Sequence, residues 1–137
     1  MRFLFEGRCD VTRNILIVDD SKLARMAMAR VLSGLLPDWT RLEATNADEA
    51  LSLARAQSVH IALLDFNMPG RDGLELAREL KALSPAMPIA VVSANLQNEI
   101  VESARKIGAA FLSKPVSEQG LRDFLAEAQT QLESEEG

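Results

Sequence analysis

Four short apolar runs, each ending on a polar residue, constrain this chain more than any other feature. They are Ile15-Leu16-Ile17-Val18 into Asp19-Asp20, Ile61-Ala62-Leu63-Leu64 into Asp65, Ile89-Ala90-Val91-Val92 into Ser93, and Ala109-Ala110-Phe111-Leu112 into Ser113-Lys114-Pro115. Apolar runs of this length without polar alternation read as strands buried on both faces, the condition of a parallel sheet covered by helices. Ligands of such sheets sit outside the carboxyl ends of the strands. The pattern therefore predicts three acids, a hydroxyl and an ammonium meeting at one rim.

Helical periodicity fills the intervals. Ser21 is a natural N-cap, followed by Ala24, Ala27, Met28, Val31, Leu32 and Leu35 at helical spacing, and Pro37 closes that region. Arg41 to Thr45 is a weak, half-polar strand candidate that belongs near an edge. Asn46 followed by Glu49 is a capping signal for a helix running to about Gln57. After Asp65, the stretch Asn67-Met68-Pro69-Gly70-Arg71-Asp72-Gly73 is loop chemistry, with Pro fixing one angle and two Gly permitting unusual ones. Leu74, Ala77 and Leu80 mark a third helix ending before Pro85. A fourth runs from about Gln97 to Ile107 with Gly108 as its C′ residue, and a fifth begins at the Ser117 cap and carries Leu121, Phe124, Leu125, Ala128 and Leu132. Five β/α units with short loops predict a doubly wound, five-stranded open sheet with five helices. Residues 1–13 read as an N-terminal extension, 14–132 as one domain, and 133–137 as a frayed acidic tail.

A net charge of −5 argues against a phosphate-backbone footprint and hence against nucleic acid as a direct partner. No apolar run approaches the ~20 residues that span a bilayer, and Phe3-Leu4-Phe5 is too short for a signal-peptide core. The single Cys9 cannot form an internal disulfide, so the expected compartment is the cytoplasm.

Converging carboxylates repel, by about 1 kcal/mol per pair ~4 Å apart in water and about 4 at an effective dielectric of 20. A hard divalent cation with oxygen ligands is the ordinary answer, and Mg²⁺ takes one or two carboxylates, waters and a substrate phosphate. Lys114 adds a point charge and Ser93 a donor, which together suffice for phosphoryl transfer by positioning and charge neutralisation. One carboxylate is then the nucleophile that becomes an aspartyl phosphate.

Asp19-Asp20-Ser21, then Asp65 with Asn67-Met68-Pro69-Gly70-Arg71-Asp72-Gly73, then Ser93-Ala94, then Lys114-Pro115, resembles the receiver domain of bacterial two-component response regulators from about Asn14 to about Leu132. The resemblance implies a flavodoxin-like strand order of 2-1-3-4-5. It implies Asp65 as phosphoacceptor, and Mg²⁺ held by Asp19, Asp20, Asp65 and the backbone carbonyl of Asn67. Ser93 and Lys114 would bind phosphoryl oxygens, Phe111 would be the aromatic that moves with Ser93, and Lys114-Pro115 would be a cis junction. Asn67 and Asn95 stand where the family tunes dephosphorylation. A sensor histidine kinase or histidine phosphotransfer protein would be the donor. An unknown protein bound on the face of helix 4, strand 5 and helix 5 would receive the signal. The resemblance further implies a stand-alone receiver, monomeric or weakly dimeric, that assists its own phosphotransfer without being a turnover enzyme.

Two rivals differ in class. A phosphatase of the haloacid dehalogenase type resembles Asp-x-Asp after a strand, whereas Asp65-Phe66-Asn67 lacks the second acid. A receiver-like scaffold would bind partners without phosphorylation. His60, the sole histidine, reads as a satisfied or exposed loop residue, and Trp39 as a packing lid.

Overall fold

The computed structural model describes residues 13–95 and 97–136, the last three by backbone alone. The expected extension up to residue 12, Cys9 and the terminal Gly137 lie outside the described residues. The elements alternate strictly: β1 (Asn14–Val18), α1 (Lys22–Leu35), β2 (Thr40–Ala44), α2 (Ala47–Ala56), β3 (Ile61–Asp65), α3 (Gly73–Leu83), β4 (Ile89–Ser93), α4 (Asn98–Ile107), β5 (Ala110–Ser113) and α5 (Glu118–Glu136). All strands are parallel in the order β2-β1-β3-β4-β5, the doubly wound arrangement expected.

Side-chain alternation divides the sheet between two cores. Leu16, Val18, Leu64, Ile89 and Val91 face α2, α3 and α4, which contribute Leu51, Leu76, Leu80 and Ala104. Ile15, Ile17, Ile61 and Leu63 face α1 and α5, which contribute Leu32, Leu121 and Leu125. Burying a side chain of this size contributes about 1.5–3 kcal/mol, so β1 and β3, buried at every residue, anchor the fold.

The fourth apolar run differs from its expected burial on both faces. β5 closes one edge of the sheet, and Ala110, Phe111 and Leu112 are only half-buried there. β2 is the other edge, as expected, starting one residue earlier than its apolar pattern indicates. The helix starts follow their caps. Ser21 accepts from the Ala24 N–H, Asn46 from the Glu49 N–H, and Ser117 from the Gly120 N–H. Gly108 ends α4 with a φ of 86°, the left-handed conformation glycine adopts without steric cost. α5 continues as helix to Glu136, past Leu132 where its apolar spacing stops. Trp39 packs on the α1/α5 core and meets the His60 ring edge-on at 6.1 Å, while His60 Nδ1 accepts from the Asn14 N–H. Among the described residues no helix is long and apolar enough to cross a membrane.

Candidate phosphoacceptor site

The carboxyl ends of β1 and β3 bring Asp19, Asp20 and Asp65 together, with one carboxylate oxygen of each within 4.8 Å of the others. Asp65 is the last residue of β3, the middle strand, and is buried along with Asp19, whereas Asp20 is exposed. Lys114, directly after β5, reaches across β4 to place Nζ 2.8 Å from Asp65 Oδ1 and 3.7 Å from Asp19 Oδ2. The Lys114–Pro115 peptide is cis.

Three carboxylates against one ammonium leave an excess of negative charge in a largely buried place. Burial pushes the Asp65 carboxyl above the usual carboxylate range and Asp19 adds to the rise, with Lys114 and the Asn67 backbone N–H offsetting part of it. Burial alone would depress the Lys114 ammonium, but Asp65 and Asp19 outweigh it and its pKa is raised. Asp65 Oδ1 is buried and has no partner meeting hydrogen-bond geometry; the nearby ammonium holds it by charge. A buried anionic oxygen in that condition, beside two further carboxylates, fits a hard, oxygen-seeking divalent cation.

The remaining expected residues lie close by without joining that contact. Ser93 ends β4 one residue beyond Val92, the register partner of Asp65, and is fully buried. Its Oγ accepts from the Asn95 N–H at 2.9 Å, which leaves the hydroxyl proton to donate elsewhere. The Asn95 carboxamide oxygen accepts from the Gln97 N–H at 3.0 Å, and Asn67 is exposed in the loop after β3. Phe111 packs, half-buried, against the core on the α4 side of the sheet.

That loop is more firmly built than its composition suggests. Gly70 takes a φ of 82°, but Gly73 is needed for a different reason: a Cβ there would lie 2.6 Å from the Asp65 carbonyl oxygen and 2.9 Å from Phe66 Cα. Only glycine lets α3 start this close to the end of β3. Asp72 and Glu75 form a reciprocal capping box at that start, with the Asp72 side chain accepting from the Glu75 N–H at 2.9 Å. Arg71 pairs with Glu79 of α3 at 2.7 Å and with Asp48 of α2, pinning the loop from outside. The box was legible as Asp-x-x-Glu, hidden inside a stretch whose Pro and Gly read as loop. Nothing in the sequence pointed to the Arg71 pairs, whose partners come from two other elements.

The family profile described as "Response regulator receiver domain" matches residues 15–126. The chain is 39% identical over 118 residues to the positive alginate biosynthesis regulatory protein of Pseudomonas aeruginosa, a match covering 84% of this chain and 46% of that protein. It is 38% identical over 108 residues to the transcriptional regulatory protein PdtaR of Mycobacterium tuberculosis, covering 78% and 52%. The chain thus spans about half the length of these curated relatives. Among solved structures, a CheY-like response regulator receiver domain protein of Methanospirillum hungatei superposes with a TM-score of 0.81 at 26% identity, covering 93% of this chain and all of that one. The chemotaxis protein CheY4 of Vibrio cholerae shares the fold with a TM-score of 0.77 at 24% identity, covering 86% and 99%. With the profile covering most of its length and the sheet order shared, the chain belongs to the response regulator receiver domain family, the phosphoacceptor modules of two-component signalling.

Proposed function

We propose that Asp65 accepts a phosphoryl group from the phosphohistidine of a sensor histidine kinase or histidine phosphotransfer protein. A carboxylate oxygen of Asp65 attacks phosphorus, the phosphorus–nitrogen bond breaks, and the imidazole leaves with a proton. Asp19, Asp20 and Asp65, with the Asn67 backbone carbonyl, would hold Mg²⁺, which when bound supplies charge neutralisation at the phosphoryl oxygens. Lys114, already at Asp65, would follow a phosphoryl oxygen, and the Ser93 hydroxyl would donate to another. The observation that carries this reading is the buried Asp65 carboxylate at the end of the middle strand, 2.8 Å from Lys114 Nζ and beside Asp19 and Asp20.

Phosphorylation exchanges the single negative charge of the Asp65 carboxylate for a phosphoryl group carrying about −1.5 to −2, displaced outward towards Ser93 and Lys114. Drawing Ser93 towards that charge would pull on the Asn95 N–H it now accepts from, and so on the start of α4. Phe111, packed on the same side, is the proposed companion in the switch, and a partner protein would read the change on the face of α4, β5 and α5. Asn67 and Asn95 would tune phosphoryl lifetime. We take the receiver as a cytoplasmic switch, monomeric or weakly dimeric, that neither turns over a substrate nor binds nucleic acid itself.

The test is direct phosphorylation by phosphoramidate with Mg²⁺, read by intact-protein mass. Wild type is expected to gain one phosphoryl group and Asp65→Asn none, with no gain in chelator. Equal labelling of Asp65→Asn would overturn the assignment.

A further inference from the structure

Arg25 of α1 forms no ion pair with the three carboxylates of the acid cluster, yet it is built into their support. Its side chain is only 12% exposed. Nη1 donates to the backbone carbonyl of Asp19 at 2.6 Å, and Nε donates to Glu43 Oε1 on β2 at 2.9 Å. Asp19 is thereby fixed along its length. Its N–H donates to the Ala44 carbonyl at 3.1 Å, its carbonyl accepts from Arg25, and its Oδ1 accepts from the Ser21 N–H at 2.9 Å. Only Oδ2 then faces Lys114. A guanidinium is a rigid planar fork that can serve two acceptors in set directions, whereas an ammonium on a flexible stem is a point charge.

We propose that Arg25 is a positioning residue for cation binding, which holds the Asp19 carbonyl against the edge strand β2 so that the Asp19 carboxylate is pre-set for the metal. This rests on reading Asp19, Asp20 and Asp65 as the Mg²⁺ site. Partners that orient metal ligands act in this way, and their loss commonly costs tenfold or more in metal affinity. Charge and positioning have opposite signs here, which makes the role separable. Arg25 is a cation near an anionic cluster, so by Coulomb's law alone its removal tightens Mg²⁺ binding. If it acts by orienting Asp19, its removal loosens binding.

The experiment is calorimetric titration of Mg²⁺ into the unphosphorylated full chain, with melting temperatures recorded in chelator for every variant. Arg25→Ala is expected to raise the Mg²⁺ Kd by about tenfold. Glu43→Ala, which removes the outer anchor and leaves Arg25 in place, raises it less. Arg25→Lys keeps the charge and still weakens binding, because one ammonium cannot span both acceptors. An Arg25→Ala protein that binds Mg²⁺ as tightly as wild type, or more tightly, overturns the proposal, whatever its melting temperature. Where Arg25→Ala does not fold, a wild-type Kd in both Arg25→Lys and Glu43→Ala overturns it equally. Failure of the underlying site looks different: wild type takes up no Mg²⁺, or Asp65→Asn binds it unchanged.

Discussion

Asp65 carries a charge that its surroundings disfavour. Burial, reinforced by Asp19, raises its pKa against the opposing pull of Lys114. An acid with a folded pKa above its unfolded value, here 3.8, favours the fold only while protonated. That contribution is complete below the unfolded value and lost as pH rises through the folded one, so at pH 7 the ionised group is a net cost. In chelator, Asp65→Asn is therefore expected to melt a few degrees above wild type at pH 7. The gain should close as pH falls towards 3.8, followed by circular dichroism. A lower melting temperature at pH 7 would mean that the Lys114 pair outweighs burial. Asp19, Asp20, Asp65 and Lys114 were legible from sequence because each ends or follows an apolar run, and strand ends in a parallel sheet share one rim. Arg25 was not, since its partners are a backbone carbonyl and a carboxylate on an edge strand, neither of which leaves a periodic signal.

At the level of elements, the β3–α3 junction concentrates constraint. A methyl group at Gly73 would press on the backbone of Asp65 and Phe66, which cannot move aside as a flexible side chain could. Gly73→Ala is expected to lose about 1–3 kcal/mol of stability by overpacking, measured by urea unfolding. It should also weaken Mg²⁺ binding, because the strain falls on the peptide of Asp65. Unchanged stability would mean that the loop relaxes freely and that the Arg71 pairs with Asp48 and Glu79 do not hold it. Sequence reasoning marked Gly73 as a source of backbone freedom, yet its φ is not positive and space is the reason. It likewise took the run through Leu112 as doubly buried. An apolar pattern records what a strand can tolerate, and the sheet edge decides what β5 receives.

Across the whole molecule, the two cores on either side of one sheet support a single charged rim. Mg²⁺ binding there would stabilise the folded chain by mass action, by about 2.7 kcal/mol with the ion at a hundred times its Kd. Wild type should thus melt several degrees higher in saturating Mg²⁺ than in chelator, while Asp65→Asn gains little. An equal rise in both proteins would place the ion elsewhere. The doubly wound class was readable because alternation of apolar runs and capped helices leaves few topologies open, and the strand order because the motifs resemble the receiver family; the interlocking of remote elements through arginines was not, because ion pairs between remote elements have no sequence period. The reach of Lys114 from β5 across β4 to β3 carries a further consequence for biosynthesis. During translation Asp19, Asp20 and Asp65 emerge before Lys114, so the ion pair that ties the last strand to the middle one is expected to form only once β5 has been made. Completion of the pocket is then expected to be a late event in biosynthesis.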